Sequence, residues 1–337
     1  MTSYPIIENV TLSYSNITNE IYPLIKSIRS DWTSSNTRLV TFTEGLTNII
    51  LGIFDNRTPD DDSNALIIKI YGIQTELFID RQAEINAMIK FHKYGVFSQR
   101  VLIQFNNGII YEFASGKTCS RDDVREENIS KLIAIKLAEI HNIPVDETEQ
   151  PYIILIIRQF LKLVDKNSFD LTSILSDIDI IEERILPRLV QNPKHGKDLV
   201  LCHNDLLVKN IVYNDKNQTI SFIDFEYTHL NYALFDIANH FVEYAGVENA
   251  DFSIYPSYDE QKKWLKIYFQ TRQLDQQIID DDLCQLIEKF SALVNLTWGL
   301  WALVQAKVSP IDFDYVNYAK MRFDYYHKLR SLLFENA

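Results

Sequence analysis

The stretch LVLCHNDLLVKNIVYNDKNQTISFIDFEY, residues 199–227, decides the fold because two of its apolar runs are joined by a polar turn. NIVYN and TISFIDF each have the length and apolar content of a β-strand, and NDKNQ between them has the composition of a turn. The pattern predicts a β-hairpin whose second arm returns beside the start of the first. Asp224, at the end of the second arm, is therefore expected to lie near Asn210 and Asp205.

These three side chains carry the oxygen atoms that a phosphoryl-transfer site needs. Carboxylate and amide oxygens suit Mg²⁺, so Asn210 and Asp224 are candidate metal ligands. Asp205 is a third oxygen-bearing group, able to accept a proton from an attacking hydroxyl. The spacing D-x-x-x-x-N, followed by an apolar strand that ends in Asp, is typical of phosphoryl transfer in protein kinases. The alternative is that all three are turn and strand-end residues, but their combined spacing around one hairpin favours the chemical interpretation.

The composition is that of an acidic globular protein. The chain has 337 residues, of which 46% are apolar, and a formal net charge of -13, which argues against a nucleic-acid partner. The most apolar run, YIILII (152–157), ends at Arg158, so no stable membrane insertion is expected. The N-terminus does not resemble a secretory signal. Cys119, Cys202 and Cys284 lack metal-ligand spacing, which predicts reduced thiols and a cytoplasmic protein.

The residues before and after a short break at ASGKT (114–118) differ in character. Before it, a lead-in is followed by β-type runs, a helical segment at 80–95 and a second hairpin around Asn-Asn-Gly. After it, an amphipathic helix at 129–143 begins a mostly helical part that contains the opening hairpin. We therefore predict one α+β catalytic unit with two lobes and a cleft between them: a β-rich N-terminal lobe (1–113), a hinge and a larger helical C-terminal lobe (119–337).

The β-rich part offers candidates for contact with phosphate groups. Lys69 ends the strand ALIIK, and Glu84 lies on the following helix, where the two are expected to pair as kinases pair them. A lysine at a strand end is, by itself, more often solvated. In the loop TEGLTN, Gly45, Thr47 and Asn48 would offer backbone N–H groups and a hydroxyl to phosphates, although a loop with a single glycine is, by itself, better explained as a plain hairpin turn.

Four stretches together resemble the choline/ethanolamine kinases: HNDLLVKNIVYN, FIDFEY, NYALFDIANHFVEYAG and WGLWALVQAK. The resemblance runs from about Phe42 to Phe323, nearly the whole chain. It implies a protein-kinase-like two-lobed fold, ATP and Mg²⁺ as cofactors, and a small amino alcohol as substrate. Asp205 would be the catalytic base, and Asn210 and Asp224 the magnesium ligands.

The resemblance also implies supporting and nucleotide-binding residues. Asp236, in FDIANHF, would brace the catalytic loop, and His203, which opens that loop, would support it. The segment YEFASGK (111–117) is similar to the hinge that carries adenine on its backbone, which makes Glu112 and Phe113 candidate contacts. The sequence leaves the oligomeric state open, with a homodimer as one option.

An aromatic group is a candidate pocket for the substrate amine. Trp298 and Trp301 are three residues apart on one helix, so both rings can face the same side. With Tyr227 and Tyr318 they would form a cage that attracts an ammonium ion, and Glu226 or the catalytic carboxylate would supply negative charge. Without the resemblance, buried core is the better interpretation of two tryptophans on an apolar helix.

Within the family, FTEGLTN, KIYGIQTELFIDR and FNNGIIYEF are most similar to the ethanolamine kinase branch. We therefore expect ATP-dependent phosphorylation of ethanolamine, in the pathway that supplies phosphatidylethanolamine. Choline kinase or dual activity is the alternative, and a catalytically silent binding module is a more remote one. Two residues depart from the family pattern: Lys69 stands where arginine is usual, and Ala238 where glycine is usual. Neither change removes a group that the chemistry needs.

Overall fold

The computed structural model of the protein divides into two compact units, Met1–Gly116 and Lys117–Ala337. The boundary falls inside the segment predicted as a hinge. The residues described are 5–13, 15–42, 48–146, 148–165, 169–194, 196–247, 249–309 and 311–335.

The first unit is built on a six-stranded sheet with the spatial order β1-β5-β6-β4-β3-β2. Neighbouring strands run antiparallel, except that β1 pairs with β5 in parallel. The strands are β1 (Ile6–Glu8), β2 (Thr37–Phe42), β3 (Ile49–Asp55), β4 (Leu66–Ile70), β5 (Val101–Phe105) and β6 (Gly108–Glu112). The short edge strand β1 was not predicted, because three residues are too few to show an alternating pattern.

Two helices belong to the first unit, α1 (Ile17–Ile28) and α2 (Arg81–Lys93). Ile21, Leu24 and Ile25 of α1 join the core cluster of the sheet, so the lead-in segment is part of this fold. Each such fully buried side chain contributes about 1.5–3 kcal/mol to stability. The start of α2 is fixed by Asp80, whose carboxylate accepts hydrogen bonds from the first-turn amides.

The second unit is mainly helical. Its helices are α3 (Glu127–His141), α4 (Tyr152–Leu163), α5 (Thr172–Ile180), α6 (Leu186–Val190), α7 (Ala233–Val242), α8 (Tyr258–Arg272), α9 (Asp281–Val308) and α10 (Tyr315–Leu333). A π-helical turn, Ile181–Ile185, joins α5 to α6. Among the described residues, none of the helices combines the length and the apolar character that crossing a bilayer requires.

The long helix α9 is buried without interruption from residue 290 to residue 305. It packs along α10, and Gly299 makes this close approach possible. A Cβ atom at position 299 would lie 2.5 Å from the ring of Phe323, well inside van der Waals contact. The two helices therefore meet at a seam that admits no side chain at that point.

Two small sheets complete the second unit. Their strands are β7 (Lys117–Thr118), β8 (Leu199–Cys202), β9 (Ile211–Asn214), β10 (Thr219–Phe222) and β11 (His229–Tyr232). One sheet has the order β10-β9-β7, and β11 pairs with β8 in the other. The predicted hairpin is confirmed: β9 and β10 are antiparallel, and the Ile223 amide donates to the Asn210 carbonyl over 3.0 Å. A β-rich unit followed by a helical one is the α+β class that the sequence predicts.

Candidate active site

One buried carboxylate fixes the backbone of the loop between β8 and β9. Asp236, fully buried on α7, accepts a hydrogen bond from the backbone amide of His203 through one oxygen and from that of Asn204 through the other, both over 2.8 Å. A carboxylate that accepts a backbone N–H bond on each of its oxygens fixes the direction in which the chain leaves the strand. The next residue, Asp205, is placed by this contact.

A buried histidine completes the environment of that carboxylate. His141 at the end of α3 lies with Nε2 3.0 Å from Asp236 and Nδ1 2.6 Å from the hydroxyl of Tyr268. Burial lowers the pKa of His141, so its neutral ring donates through Nε2 and accepts through Nδ1. Burial opposes ionisation of Asp236, but the bonds from His141 and the loop amides outweigh it and lower the pKa of that carboxyl. The sequence analysis did not single out His141.

The loop is also tied to the second arm of the hairpin. The His203 ring lies 3.0 Å from the Ile223 carbonyl through Nε2. Asn204 has φ 65°, a left-handed conformation that asparagine tolerates, and its amide donates to the Tyr227 carbonyl over 2.9 Å. These contacts hold the backbone before and after the predicted metal ligands in one arrangement.

The three oxygen-bearing residues predicted from the sequence come together. The Asn210 amide nitrogen donates to the Asp205 carbonyl over 2.9 Å and approaches its carboxylate at 3.4 Å, which leaves the Asn210 side-chain oxygen for a cation. Asp224 follows β10 with φ 63°, a left-handed conformation that is uncommon for residues other than glycine and that asparagine and aspartate tolerate best. An amide oxygen and a carboxylate beside a second carboxylate are a hard-oxygen donor set, which fits Mg²⁺.

Asp205 lies near several other carboxylates. Burial raises its pKa well above the usual range, and the neighbouring carboxylates of Glu243, Asp224 and Glu226 raise it further, while the Arg322 guanidinium opposes them. A carboxylate in this environment binds a proton more strongly than one in water does. This is the property that a general base for a hydroxyl proton requires.

The predicted aromatic residues form one buried cluster. The Trp298 and Trp301 rings are 5.8 Å apart between centroids, Tyr227 lies 5.1 Å from Trp298, and Tyr318 lies 6.3 Å from Trp301. Tyr315, which the sequence analysis did not name, adds a ring 5.9 Å from Trp301. The cluster and Asp205 belong to one neighbourhood: burial raises the pKa of both Tyr227 and Tyr318, and the nearby Asp205 charge raises both further.

Hydrogen bonds hold the polar edges of these rings. The Trp301 indole donates to the Tyr227 hydroxyl over 2.8 Å, and the Trp298 indole donates to the side-chain oxygen of Asn239 over 2.8 Å. Glu226, predicted to supply negative charge, is buried at 2% exposure beside the cluster's Tyr227. Rings whose edges are satisfied in this way are held in fixed orientations.

A buried ion pair borders the cluster and was missed in the sequence. Glu243 follows α7, Arg322 lies on α10, and the Arg322 guanidinium is 2.5 Å from one Glu243 oxygen. Both side chains are at most 2% exposed. Seventy-nine positions separate them in the chain, so no local spacing marks the pair. The signal available was Glu243 itself, a charged residue between the apolar pair Phe-Val and Tyr-Ala-Gly in NHFVEYAG.

In the first unit, the predicted lysine–glutamate pair is present. The Lys69 Nζ atom lies 2.5 Å from a Glu84 oxygen, and both side chains are 2% exposed. The solvated interpretation of Lys69 is therefore wrong: the residue lies inside β4, whose five residues are all buried. Arg81, which the sequence analysis did not name, lies 3.4 Å from the other Glu84 oxygen and donates to the Asn48 side chain over 2.9 Å.

The other predicted nucleotide contacts lie in the loop TEGLTN and in the segment 111–117. Gly45 and Thr47 lie outside the described residues. The backbone amides of Glu112 and Phe113 donate to the carbonyls of Arg100 and Ala65, over 3.1 and 3.0 Å. Both amides are thus engaged within the first unit, and the hinge role of segment 111–117 stays a prediction. The Glu112 carboxylate is engaged as well, at 2.5 Å from the Arg100 guanidinium.

Comparison with known proteins agrees with these features. The model of the choline/ethanolamine kinase family matches residues 39–327. Ethanolamine kinase 1 of Homo sapiens is 35% identical over 326 residues, which cover 91% of this chain and 70% of the human one.

Solved structures support the predicted protein-kinase-like fold. An ethanolamine kinase of Plasmodium vivax superposes with a TM-score of 0.79 at 26% identity, covering 98% of this chain and 100% of the other. A choline kinase of Cryptosporidium parvum superposes with a TM-score of 0.77 at 22% identity, covering 94% and 96%. The chain belongs to the choline/ethanolamine kinase family.

Proposed function

We propose that this enzyme transfers the γ-phosphoryl group of ATP to the hydroxyl of ethanolamine, the first step of the CDP-ethanolamine route to phosphatidylethanolamine. The observation that carries the proposal is the neighbourhood of Asp205. Asp205 is the proton acceptor, and a hard-oxygen donor set and a buried aromatic cluster with a carboxylate lie around it. The relatives named above as ethanolamine kinases support the same acceptor.

Asp205 acts as the general base. The ethanolamine hydroxyl oxygen forms a bond to the γ-phosphorus, the bond from that phosphorus to ADP breaks, and the hydroxyl proton passes to the Asp205 carboxylate. The elevated pKa of Asp205 suits it to this proton. Asp236 holds the backbone of His203 and Asn204, the two residues before Asp205, so the Asp205 carboxylate does not have to be reoriented at each turnover.

Asn210 and Asp224 hold Mg²⁺ through their side-chain oxygens. The ion, when bound, neutralises charge on the phosphates of ATP. The asparagine amide is oriented for this role by its bond to the Asp205 carbonyl. In the first unit, Lys69 serves as the point charge for nucleotide phosphates, and Glu84 fixes its position.

The aromatic cluster with Glu243 and Glu226 binds the ammonium group of the acceptor. Ring faces attract a cation, and a buried carboxylate adds charge and accepts an N–H hydrogen bond. Because ring faces also suit a trimethylammonium group, choline is the second candidate acceptor, alone or together with ethanolamine. The proposal includes a cytoplasmic location. A homodimer stays a prediction, which light scattering after size-exclusion chromatography tests.

A coupled ADP-release assay with ethanolamine, choline and no acceptor tests the function. We expect acceptor-dependent ADP release, with a larger kcat/KM for ethanolamine. Asp205→Asn should lower kcat by about 10² to 10⁴-fold while Mg²⁺–ATP still raises the melting temperature. Asp215→Asn, in the exposed hairpin turn, is the matched control and should keep full activity. Equal rates with and without acceptor would refute the proposal, and the absence of any thermal shift with Mg²⁺–ATP would favour the silent binding module.

A further inference from the structure

Arg81, the first residue of α2, joins separate segments of the first unit. Its guanidinium donates to the Asn48 side-chain oxygen over 2.9 Å and to the Thr75 hydroxyl over 2.6 Å, and it lies 3.4 Å from a Glu84 oxygen. It also lies over the Tyr71 ring, 4.2 Å from the ring centroid. The Arg81 side chain is 13% exposed, so water competes little for these contacts. A rigid, fork-shaped donor engaged in this way is held in one position.

The Glu84 carboxylate is shared between two cations. Lys69 contacts one of its oxygens at 2.5 Å, and Arg81 approaches the other at 3.4 Å. An ammonium group is a compact point charge, which does not orient a carboxylate in the way that a guanidinium fork does. Because Arg81 engages the second oxygen, the Glu84 carboxylate cannot rotate freely, and the position of the Lys69 Nζ atom is fixed with it.

Asn48 connects this pair to the loop TEGLTN, of which it is the last residue. Its side chain is buried, and it directly precedes β3. The Asn48 side-chain oxygen accepts from Arg81 and, over 3.3 Å, from the Gly72 amide. The Gly72 carbonyl in turn accepts from the Thr75 hydroxyl over 2.8 Å. The end of the loop predicted to contact phosphates is therefore bonded to the same guanidinium as the lysine–glutamate pair.

We propose that Arg81 is a positioning residue for the phosphates of ATP: it holds the end of the loop TEGLTN and the Lys69–Glu84 pair in one arrangement. This inference rests on the proposed function. Lys69 is the point charge for nucleotide phosphates there, and the loop would offer them further donors. Because both groups are held before ATP binds, less conformational freedom is lost on binding, and the affinity for the phosphates is higher.

A purely structural role for Arg81 is the alternative to positioning. Loss of buried hydrogen bonds lowers the free energy of unfolding in either case, so stability alone does not distinguish the two roles. They differ in the ligands that they affect. Positioning acts on nucleotides that carry phosphates and leaves the contacts of adenosine unchanged. General loosening of the first unit weakens the binding of adenosine as much as that of ATP.

The test measures the dissociation constants of ATP, ADP and adenosine for the full-length enzyme by calorimetry, together with the ethanolamine KM. The variants are Arg81→Met, Arg81→Lys and Asn48→Ala, each checked for folding by its melting curve. Arg29→Met is the matched control: Arg29 directly follows α1 in the same unit, with its guanidinium 6.0 Å from the Trp32 ring centroid. We expect Arg81→Met to weaken binding of ATP and ADP by about 10- to 100-fold. Adenosine binding, the ethanolamine KM and all properties of Arg29→Met should stay close to those of the parent.

Two comparisons test the bond between Arg81 and Asn48. The Arg81→Met/Asn48→Ala double variant should bind ATP no more weakly than Arg81→Met alone, because the two residues act through one contact. Arg81→Lys, which keeps the charge and loses the fork, should lie between the parent and Arg81→Met. If Arg81→Met does not fold, the comparison uses Arg81→Lys, whose effect on ATP binding should be smaller in the Asn48→Ala background than in the parent.

The failures are distinguishable. A parent enzyme that binds neither ATP nor ADP overturns the proposed function and this inference together. A parent that binds both, with Arg81 variants that bind them equally tightly, overturns the inference alone. An Arg81→Met variant that loses as much affinity for adenosine as for ATP overturns it as well, and so do additive effects of the Arg81 and Asn48 substitutions on ATP binding.

Discussion

Replacing Asp236 with asparagine removes the charge that holds the catalytic loop while leaving its volume unchanged. One of the two oxygens that accept the His203 and Asn204 amides becomes an NH₂ group and faces an N–H donor. His141, which also donates to this carboxylate, loses its ionised partner. At least one charge-assisted bond is lost, at a cost of about 1.5–3 kcal/mol of stability.

The effect on turnover should exceed the effect on stability. Asp205 directly follows the two amides, so a shift of the loop displaces the base, and a misplacement of about 1 Å costs on the order of 10²-fold in rate. We expect Asp236→Asn to lower kcat about 10²-fold in the ADP-release assay, with a nearly unchanged KM for ATP.

A matched control separates loop position from general destabilisation. Asp177 on α5 is another fully buried aspartate, whose carboxylate accepts from Tyr326 and Arg330. Asp177→Asn should lose comparable stability in urea unfolding and keep its kcat at temperatures where it is folded. An Asp236→Asn enzyme with kcat within about two-fold of the parent, or an Asp177→Asn enzyme equally impaired, would refute the bracing role.

Two further predictions concern the lysine pair and pH. Lys69→Met removes the closer cation from the buried Glu84 carboxylate, to which Arg81 remains at 3.4 Å. The free energy of unfolding should therefore fall by less than the roughly 3–5 kcal/mol that a fully unpaired buried charge costs, and the KM for ATP should rise. Thermal melting and ATP titration measure both, and a parent-like KM for ATP would argue against a phosphate contact. Burial lowers the pKa of His240 to about 4 in the folded state from 6.5. Between pH 6.5 and about pH 4, the unfolded chain therefore binds more protons at this residue than the folded chain does. The stability that is present above pH 6.5 is lost as the pH falls through this range. Between about pH 8 and about pH 5.5, His240 alone accounts for about 1 kcal/mol. Urea unfolding of the parent and His240→Gln at both values checks this, and an equal pH dependence in the two would contradict it.

What the sequence revealed depends on how far apart the interacting residues lie. The arrangement of Asn210 and Asp224 was predictable because one hairpin brings them together, and both its apolar arms and its turn are visible locally. The contact of Lys69 with Glu84 spans a strand and the next helix, and it follows a known pattern. Burial of Lys69 was not predictable, since a central strand of a sheet is recognised only when its neighbours are known.

Contacts between distant elements were missed for the same reason. His141 reaches Asp236 across 95 positions, and Glu243 reaches Arg322 across 79. The partners of each contact lie on different elements that are far apart in the chain, and the sequence does not show which helices pack together. The hydrogen bond from the Phe113 amide to the Ala65 carbonyl was likewise not predictable, because it depends on strand register rather than on composition.

The missing side chain at Gly299 has a consequence for how the acceptor range of such an enzyme can change. A methyl group there would collide with the Phe323 ring, and relief would require that ring, or α10 with it, to move outward. Tyr318 and Arg322, which precede Phe323 on that helix, would be carried along. Adaptation to bulkier amines is therefore easier through the turn that bears Glu243 than through the α9–α10 contact. One backbone position thereby limits which side of the aromatic cluster is free to evolve.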